Sequence, residues 1–156
     1  MGNHIVLYQP EIPANTGNIA RTCAGTGTTL HLIRPLGFST DDKMLKRAGC
    51  DYWPYVNIHY YDAMEELFAT YPEGEFYFIE TIGRKNYTDV SFSDPTVEYF
   101  FVFGRETSGL PSSLTSQYED RCLRIPQNDR VRSLNLSNTA AIVVYEALRQ
   151  QQFAPI

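Results

Sequence analysis

EYFFVFG, residues 98–104, runs straight into RETSGLP, residues 105–111. The first seven residues are the strongest strand signal in the chain, an aromatic and β-branched run closed by a glycine. The next seven form a tight loop in which Gly104 and Gly109 let backbone come close to a ligand, with Glu106 as a charged group between them. Working outward, further strands are expected at HIVLYQ (4–9), TLHLIR (29–34), VNIHYY (56–61), FYFIE (76–80) and RCLRIP (121–126). Between them lie helical patterns. Asn15 is placed to cap a helix over 16–26, Ser39 or Thr40 a basic helix in DDKMLKRAG (41–49), and Asp62 the segment DAMEELFATY. A short helix follows Pro111, a polar loop fills 82–96, and a last helix runs from about Ser137 to Gln151. Alternation of strand and helix predicts one α/β domain over 1–156, a mainly parallel sheet with helices on both faces.

Two other segments hold more special residues than such a sheet needs. PEIPANTGNIAR (10–21) puts amides and small residues at a helix N-terminus, where free N–H groups suit phosphate or ribose oxygens. Arg21 follows Asn15 by six residues, nearly two turns, and is expected on a similar side of that helix. Ile125 and Pro126 lead through a polar loop into RVRSLNLSN (130–138) and the helix AAIVVYEALRQ. Ser137 or Asn138 suffices as the cap there. That leaves Ser133 and Asn135, an i, i+2 pair in extended chain, free to bind a cofactor or substrate hydroxyl. For Asn15 alone a plain cap is the favoured account, but the whole string 10–21 favours function, because Gly17 and Asn18 in a first turn cost helix propensity. For the glycine-rich loop a plain turn with solvated charges is a common outcome, and no Lys-Ser/Thr follows to make a phosphate-cradling P-loop.

Composition allows a real core, with 43% hydrophobic and 20% charged residues. No apolar run reaches the roughly 18 residues a spanning helix needs. The opening MGNHIVLYQP reads as a strand, not a signal peptide, so a cytoplasmic protein without membrane contact is expected. Cys23, Cys50 and Cys122 are scattered and odd in number, which argues against disulfides and against a C-x-x-C pair. His4, His31 and His59 fall in or beside strands without ligand spacing, so no metal site is expected. The net charge of −5 argues mildly against nucleic acid. Yet residues 41–98 hold twelve acids and five bases, a net of −7, while 1–40 and 99–156 each come to +1. The acidity therefore lies mostly outside the motif-bearing segments.

Taken together, P-E-I-P-x-N-T-G-N-I-x-R, F-G-x-E-x-x-G-L-P and I-P…R-S-L-N-L-S-N…Y-E-A-L-R-Q resemble, in order and spacing, the three motifs of the SPOUT RNA methyltransferases. In length the chain is similar to the compact tRNA wobble-ribose methyltransferases, those of cytidine 34, and the likeness covers nearly all of it. The resemblance implies an α/β sheet with a deep trefoil knot near the C-terminus, a fold periodicity would never suggest. It implies S-adenosylmethionine held in the knot by loops matching Ile79–Thr81, Gly104–Glu106 and Ile125–Leu134, with Ile79, Thr81, Gly104, Ile125, Ser133 and Leu134 as the binding residues. It also implies a homodimer with the site near its interface, and tRNA as partner through the anticodon stem-loop. Carried over position by position, Asn15 and Arg21 match the substrate side of the first motif, Glu106 the acid of the second, and Ser133 and Asn135 the polar pair of the third.

Methyl transfer from a sulfonium needs alignment and removal of a proton, and no metal. Arg21 is the activator the resemblance implies. As a base it is poor, since its pKa exceeds about 12, so gripping a phosphate and stabilising a forming alkoxide is an equal alternative. Glu106 could position Arg21 or the cofactor. Tyr145 is a weaker candidate, with packing at least as good an account. Lys43, Lys46, Arg47, Arg130 and Arg132 could line a tract for stem phosphates. The last helix carries Ala140, Val143, Val144, Ala147 and Leu148 on one face and Ile142 and Tyr145 on another. That predicts burial on two sides and pairing with a second copy, together with the helix of Ile19 to Ala24. Two other classes compete. One is a non-catalytic RNA- or nucleotide-binding domain, which would bind tRNA but not S-adenosylmethionine. The other is a dinucleotide-dependent dehydrogenase, disfavoured because Gly25-Thr26-Gly27 ends a helix instead of opening one.

Overall fold

A computed structural model describes residues 2–40, 43, 47 and 52–156. Seven strands form one sheet: β1 (Gly2–Tyr8), β2 (Thr29–Ile33), β3 (Ile58–Tyr61), β4 (Glu75–Ile79), β5 (Lys85–Asn86), β6 (Glu98–Phe103) and β7 (Cys122–Arg124). Their order across the sheet is β3-β2-β1-β6-β4-β7-β5, and every pairing is parallel. Among the described residues the bounded helices are α1 (Pro13–Thr26), α2 (Met64–Thr70), α3 (Ser112–Thr115) and α4 (Leu136–Gln150), with 3-10 turns at Trp53–Tyr55 and Glu119–Arg121. The α/β class and helices on both faces are as the sequence indicates. The basic segment 41–49 lies outside the described residues except Lys43 and Arg47, which are helical and exposed.

The sheet is buried on both sides, as parallel strands require. Ile5 and Leu7, Leu30 and Leu32, and Phe101 and Phe103 share one core with Ile19, Ala20 and Cys23 of α1 and Ala140, Val143, Val144, Ala147 and Leu148 of α4. The alternate residues Val6, Ile33, Phe100 and Val102 face the other way, onto Met64 and Leu67 of α2. Register keeps the sets apart: Ile5 sits beside Phe101 and Val6 beside Val102. A slip of one residue would exchange the two faces. The expected polar loop 82–96 is less simple than its composition. It contributes β5, and Phe92 plugs the first core, completely buried and edge-on to Tyr77, Tyr99 and Phe101. Cys23 and Cys122 are buried free thiols.

Helix ends depart from expectation in three places. The first helix starts at Pro13, with Ile12 as its cap residue, so Asn15 lies inside the first turn and not before it. Proline at the opening position already supplies the helical φ and lacks the N–H that would need a partner. Asp62 does not cap α2. The cap residue is Ala63, and Glu66 reaches back to accept the Asp62 N–H at 3.0 Å. Neither Ser137 nor Asn138 caps α4. Asn135 does so, its Oδ1 accepting from the Ser137 N–H at 2.9 Å. No helix among the described residues is long and apolar enough to cross a membrane.

Candidate functional site

Four neighbouring strands, β1, β6, β4 and β7, end in loops that enclose one cavity of about 740 Å³. Its position beyond strand carboxyl ends is where open parallel sheets hold ligands. The wall includes Ile79, Thr81, Gly104, Ile125, Ser133 and Leu134, drawn from three loops far apart in sequence. Asn15, Glu106 and Asn135 line it as well.

The loop after β6 is a closed hairpin. Arg105 and Gly109 exchange backbone hydrogen bonds of 2.9 and 3.2 Å, and Gly109 holds a left-handed φ of +67°. Gly104 is needed for a reason the sequence did not suggest. A Cβ there would collide with the backbone of Gly109 and Leu110, so the glycine serves contact within the hairpin rather than close approach of a ligand. The Arg105 guanidinium lies 5.3 Å from the Tyr8 ring centroid and donates to Gln9 Oε1 at 3.0 Å. This ties the hairpin to the end of β1.

Glu106 joins all three motifs. Its carboxylate accepts from the backbone N–H groups of Glu11 at 2.9 Å and Ile12 at 3.0 Å, and from Asn15 Nδ2 at 3.2 Å. It thus stands at the positive end of α1, where a negative charge is stabilised by free N–H groups and the helix dipole. Asn15 passes the link on, its Oδ1 accepting from Asn135 Nδ2 at 3.2 Å. Asn135 in turn holds the start of α4 through Ser137. In this arrangement Glu106 positions α1 and Asn15, with no contact to Arg21. A second strap lies outside it. The Glu11 carboxylate accepts from the Thr107 N–H at 3.0 Å and its hydroxyl at 2.8 Å, which holds that carboxyl below its ordinary pKa.

Arg21 stands apart from the cavity wall. Six residues turn an α-helix through about 600°, leaving Arg21 roughly 120° around the axis from Asn15 rather than on its side. Asn15 is accordingly only 6% exposed, whereas Arg21 is exposed, its guanidinium 5.0 Å from the Tyr52 ring centroid. Arg132 lines the cavity mouth. Arg130, Lys43 and Arg47 are exposed elsewhere, Tyr145 is exposed on α4, and Lys46 lies outside the described residues.

Two further wall residues, Glu80 and Gln127, fall inside the loops that the resemblance assigns to the cofactor without having been singled out. Glu80 sits between Ile79 and Thr81, and burial raises its carboxyl pKa although the Leu110 N–H bonds to it. Its place between two named positions was the available signal. Gln127 also reaches the wall, and nothing in its local sequence marks it. Among the described residues no group of three or more His, Cys, Asp or Glu side chains is placed to hold a metal ion.

Known proteins share this architecture. A tRNA (cytidine(34)-2'-O)-methyltransferase of putative standing from Geobacillus stearothermophilus is 67% identical over 153 residues, covering 98% of each chain. A crystal structure of a putative RNA methyltransferase from Bacillus anthracis superposes with a TM-score of 0.93 at 63% identity, over 98% of this chain and 96% of that one. A structure described as giving insight into 2-OH methylation of C/U34 on tRNA superposes with a TM-score of 0.87 at 40% identity, covering 96% of each chain. With residues 2–145 also matching the sequence profile of the SpoU rRNA Methylase family, and with its three motifs folded around one cavity, this chain belongs to that family.

Proposed function

We propose that this protein methylates the ribose 2'-hydroxyl of the wobble nucleotide of tRNA, position 34, a cytidine or modified uridine, with S-adenosylmethionine as donor. The observation that carries the reading is the cavity at the ends of β1, β6, β4 and β7. The three loops matched to the cofactor line one space, and its volume falls within the range of about 300–1,000 Å³ usual for small-molecule sites. The donor set fits the cofactor, with loop backbone and polar side chains for adenine and ribose, Glu80 as a hydrogen-bond acceptor, and Arg132 at the mouth for a carboxylate. A trefoil knot formed by the same loops is part of this reading.

When bound, the cofactor supplies an already activated methyl group, whose carbon–sulfur bond breaks as the oxygen–carbon bond forms. The chain's own residues hold the nucleotide in line, and the hydroxyl proton is released to solvent water as the new bond forms. Asn15, Ser133 and Asn135 orient ribose and cofactor groups. Glu106 fixes Asn15 and the start of α1, and therefore acts through them. Arg21 grips a phosphate beside the ribose and stabilises the oxygen as negative charge grows on it. Arg21 lies on the exposed side of α1, so RNA must bridge from there to the cavity, or a two-fold mate must present its own α1. A homodimer through α1 and α4 accommodates either. Lys43, Lys46, Arg47, Arg130 and Arg132 supply phosphate contacts along the anticodon stem, and the enzyme works in the cytoplasm.

The test is incubation with radiolabelled S-adenosylmethionine and bulk tRNA from a strain lacking this protein, followed by nucleoside mapping. Label in a 2'-O-methylated nucleoside at position 34 is expected. tRNA binding with neither label transfer nor cofactor binding would replace the reading with that of a non-catalytic RNA-binding domain.

A further inference from the structure

The segment YWPY, residues 52–55, forms a 3-10 turn between the described part of the basic segment and β3. Trp53 and, just after the turn, Val56 are half-buried and pack against the core shared by α1 and α4. Pro54 restricts the backbone between them. The turn closes through a 2.9 Å hydrogen bond from the Tyr55 N–H to the Tyr52 carbonyl. Residues three apart eclipse one another in a 3-10 helix, so Tyr52 and Tyr55 share one edge. Arg21 of α1 lies over the Tyr52 ring at 5.0 Å. The Tyr55 ring is 78% exposed. A turn packed against the core thus carries an exposed tyrosine three positions from the tyrosine that orients Arg21.

We propose that this edge is a stacking platform for an unpaired RNA base. Tyr55 supplies the ring face, Tyr52 holds the Arg21 guanidinium, and Arg21 meets the phosphate attached to that nucleotide or its neighbour. The proposal rests on the reading of the chain as a tRNA methyltransferase, and names the partner as a single-stranded loop nucleotide other than the one being methylated. Single-stranded RNA is recognised by this pairing of chemistries, aromatic faces for bases and arginine for backbone. A fixed aromatic loses little conformational freedom on binding, which favours a rigid turn over a mobile loop as the place to put it. Tyr52 is then a positioning residue for Arg21, and Tyr55 a contact residue for the substrate.

The experiment uses the full chain and an anticodon stem-loop oligoribonucleotide carrying 2-aminopurine at each loop position in turn. Stacking on Tyr55 quenches the probe at one position. Tyr55→Ala and Tyr55→Leu should remove that change and weaken binding about tenfold, in the range of one base–aromatic stack. Tyr55→Trp should keep or tighten it. The slope of log affinity against log salt should stay as in the parent, because stacking displaces no counterions. Tyr52→Phe should preserve methylation, whereas Tyr52→Ala should lower kcat with cofactor affinity unchanged. Binding by Tyr55→Ala equal to the parent's overturns the platform. So does a dimer-to-monomer change in sedimentation for that variant, since a second copy would then be what covers the ring. Methylation of tRNA by the parent is measured alongside. Failure there with an intact stacking signal removes the enzymatic reading alone.

Discussion

Two polar networks in this small domain, one part-buried at a cavity and one buried in the sheet, differ in nearly every respect. One is the Glu106–Asn15–Asn135 set at the carboxyl ends of the strands. The other crosses the sheet's second face, where His4 Nδ1 meets His31 Nε2 at 2.9 Å and His31 Nδ1 meets the Tyr61 hydroxyl at 3.1 Å. The first carries a carboxylate matched to backbone N–H groups and opens on a cavity. The second is walled in by rings, His4 stacked 4.1 Å from Phe100 and both imidazoles near Tyr71. Burial holds His31 down to about 3, and it holds His4 low as well, outweighing the Glu98 carboxylate 3.6 Å away. Burial of polar groups is therefore a poor sign of a working site by itself. What marks the first set is a charge placed at an opening. The second set ties β1, β2 and β3 in register, because both imidazoles would leave this face if a strand slipped by one residue.

The sharpest way to break the contrast is at Gly104. Gly104→Val drives a branched side chain into the Gly109 and Leu110 backbone. Cofactor binding by calorimetry should vanish and the melting temperature should fall. Normal affinity would mean that the hairpin is not a wall of the site. Next comes Arg21. Arg21→Ala should lower single-turnover methylation by orders of magnitude while stability shifts by within about 0.5 kcal/mol, as for surface changes generally. Arg21→Lys should be nearly as poor, since a point charge cannot grip phosphate and ribose oxygen together. Unchanged turnover in Arg21→Ala would sink the assignment.

A smaller effect is expected at the hub itself. Glu106→Ala leaves the Glu11 and Ile12 N–H groups and Asn15 without their acceptor, at a cost of about 1.5–3 kcal/mol in urea unfolding. The lower end is the better expectation for a group partly open to solvent. A melt matching the parent's would show that water replaces the carboxylate without loss.

The gentlest test addresses the histidines. His31 is neutral in the folded chain down to about pH 3, while the unfolded chain takes up its proton near 6.5. The unfolded state thus binds more protons across that window. Stability should be level above about pH 6.5 and fall below it, by about 1 kcal/mol from His31 between pH 6.5 and 5.5. His31→Leu should remove that share of the slope. An unchanged slope would place the acid sensitivity elsewhere.

Much of this was legible in the chain, because parallel strands and amphipathic helices announce themselves through local pattern. EYFFVFG is a central strand, and the motif loops meet where the sheet rules put them. What stayed hidden depends on partners distant in sequence. Asn15 is an ordinary helix opener by local rule, yet it lies inside the first turn and donates its side-chain amide to Glu106, ninety-one residues on. Asn135 was set aside as spare and proves to be both cap and link. Phe92 sits in a stretch whose Ser, Asp and Pro content describes a loop accurately and says nothing of one ring turned inward. The divergence of Arg21 from Asn15, by contrast, follows from helix geometry alone, since six residues turn the chain through about 600°.

The position of β1 bears on how the chain is made. Of the seven strands it is made first, yet it lies in the sheet's interior, between β2 and β6. One edge finds β2 within some thirty residues, since His4 pairs with Thr29, but the other waits for Glu98 to Phe103. Until then its N–H and C=O groups remain an open template of the kind that invites wrong pairing. Long-range parallel pairing is also slow to form. Free chains truncated before residue 98 should accordingly bind holding chaperones or aggregate, and those ending a few residues beyond 103 should lose that tendency as the gap beside β1 closes.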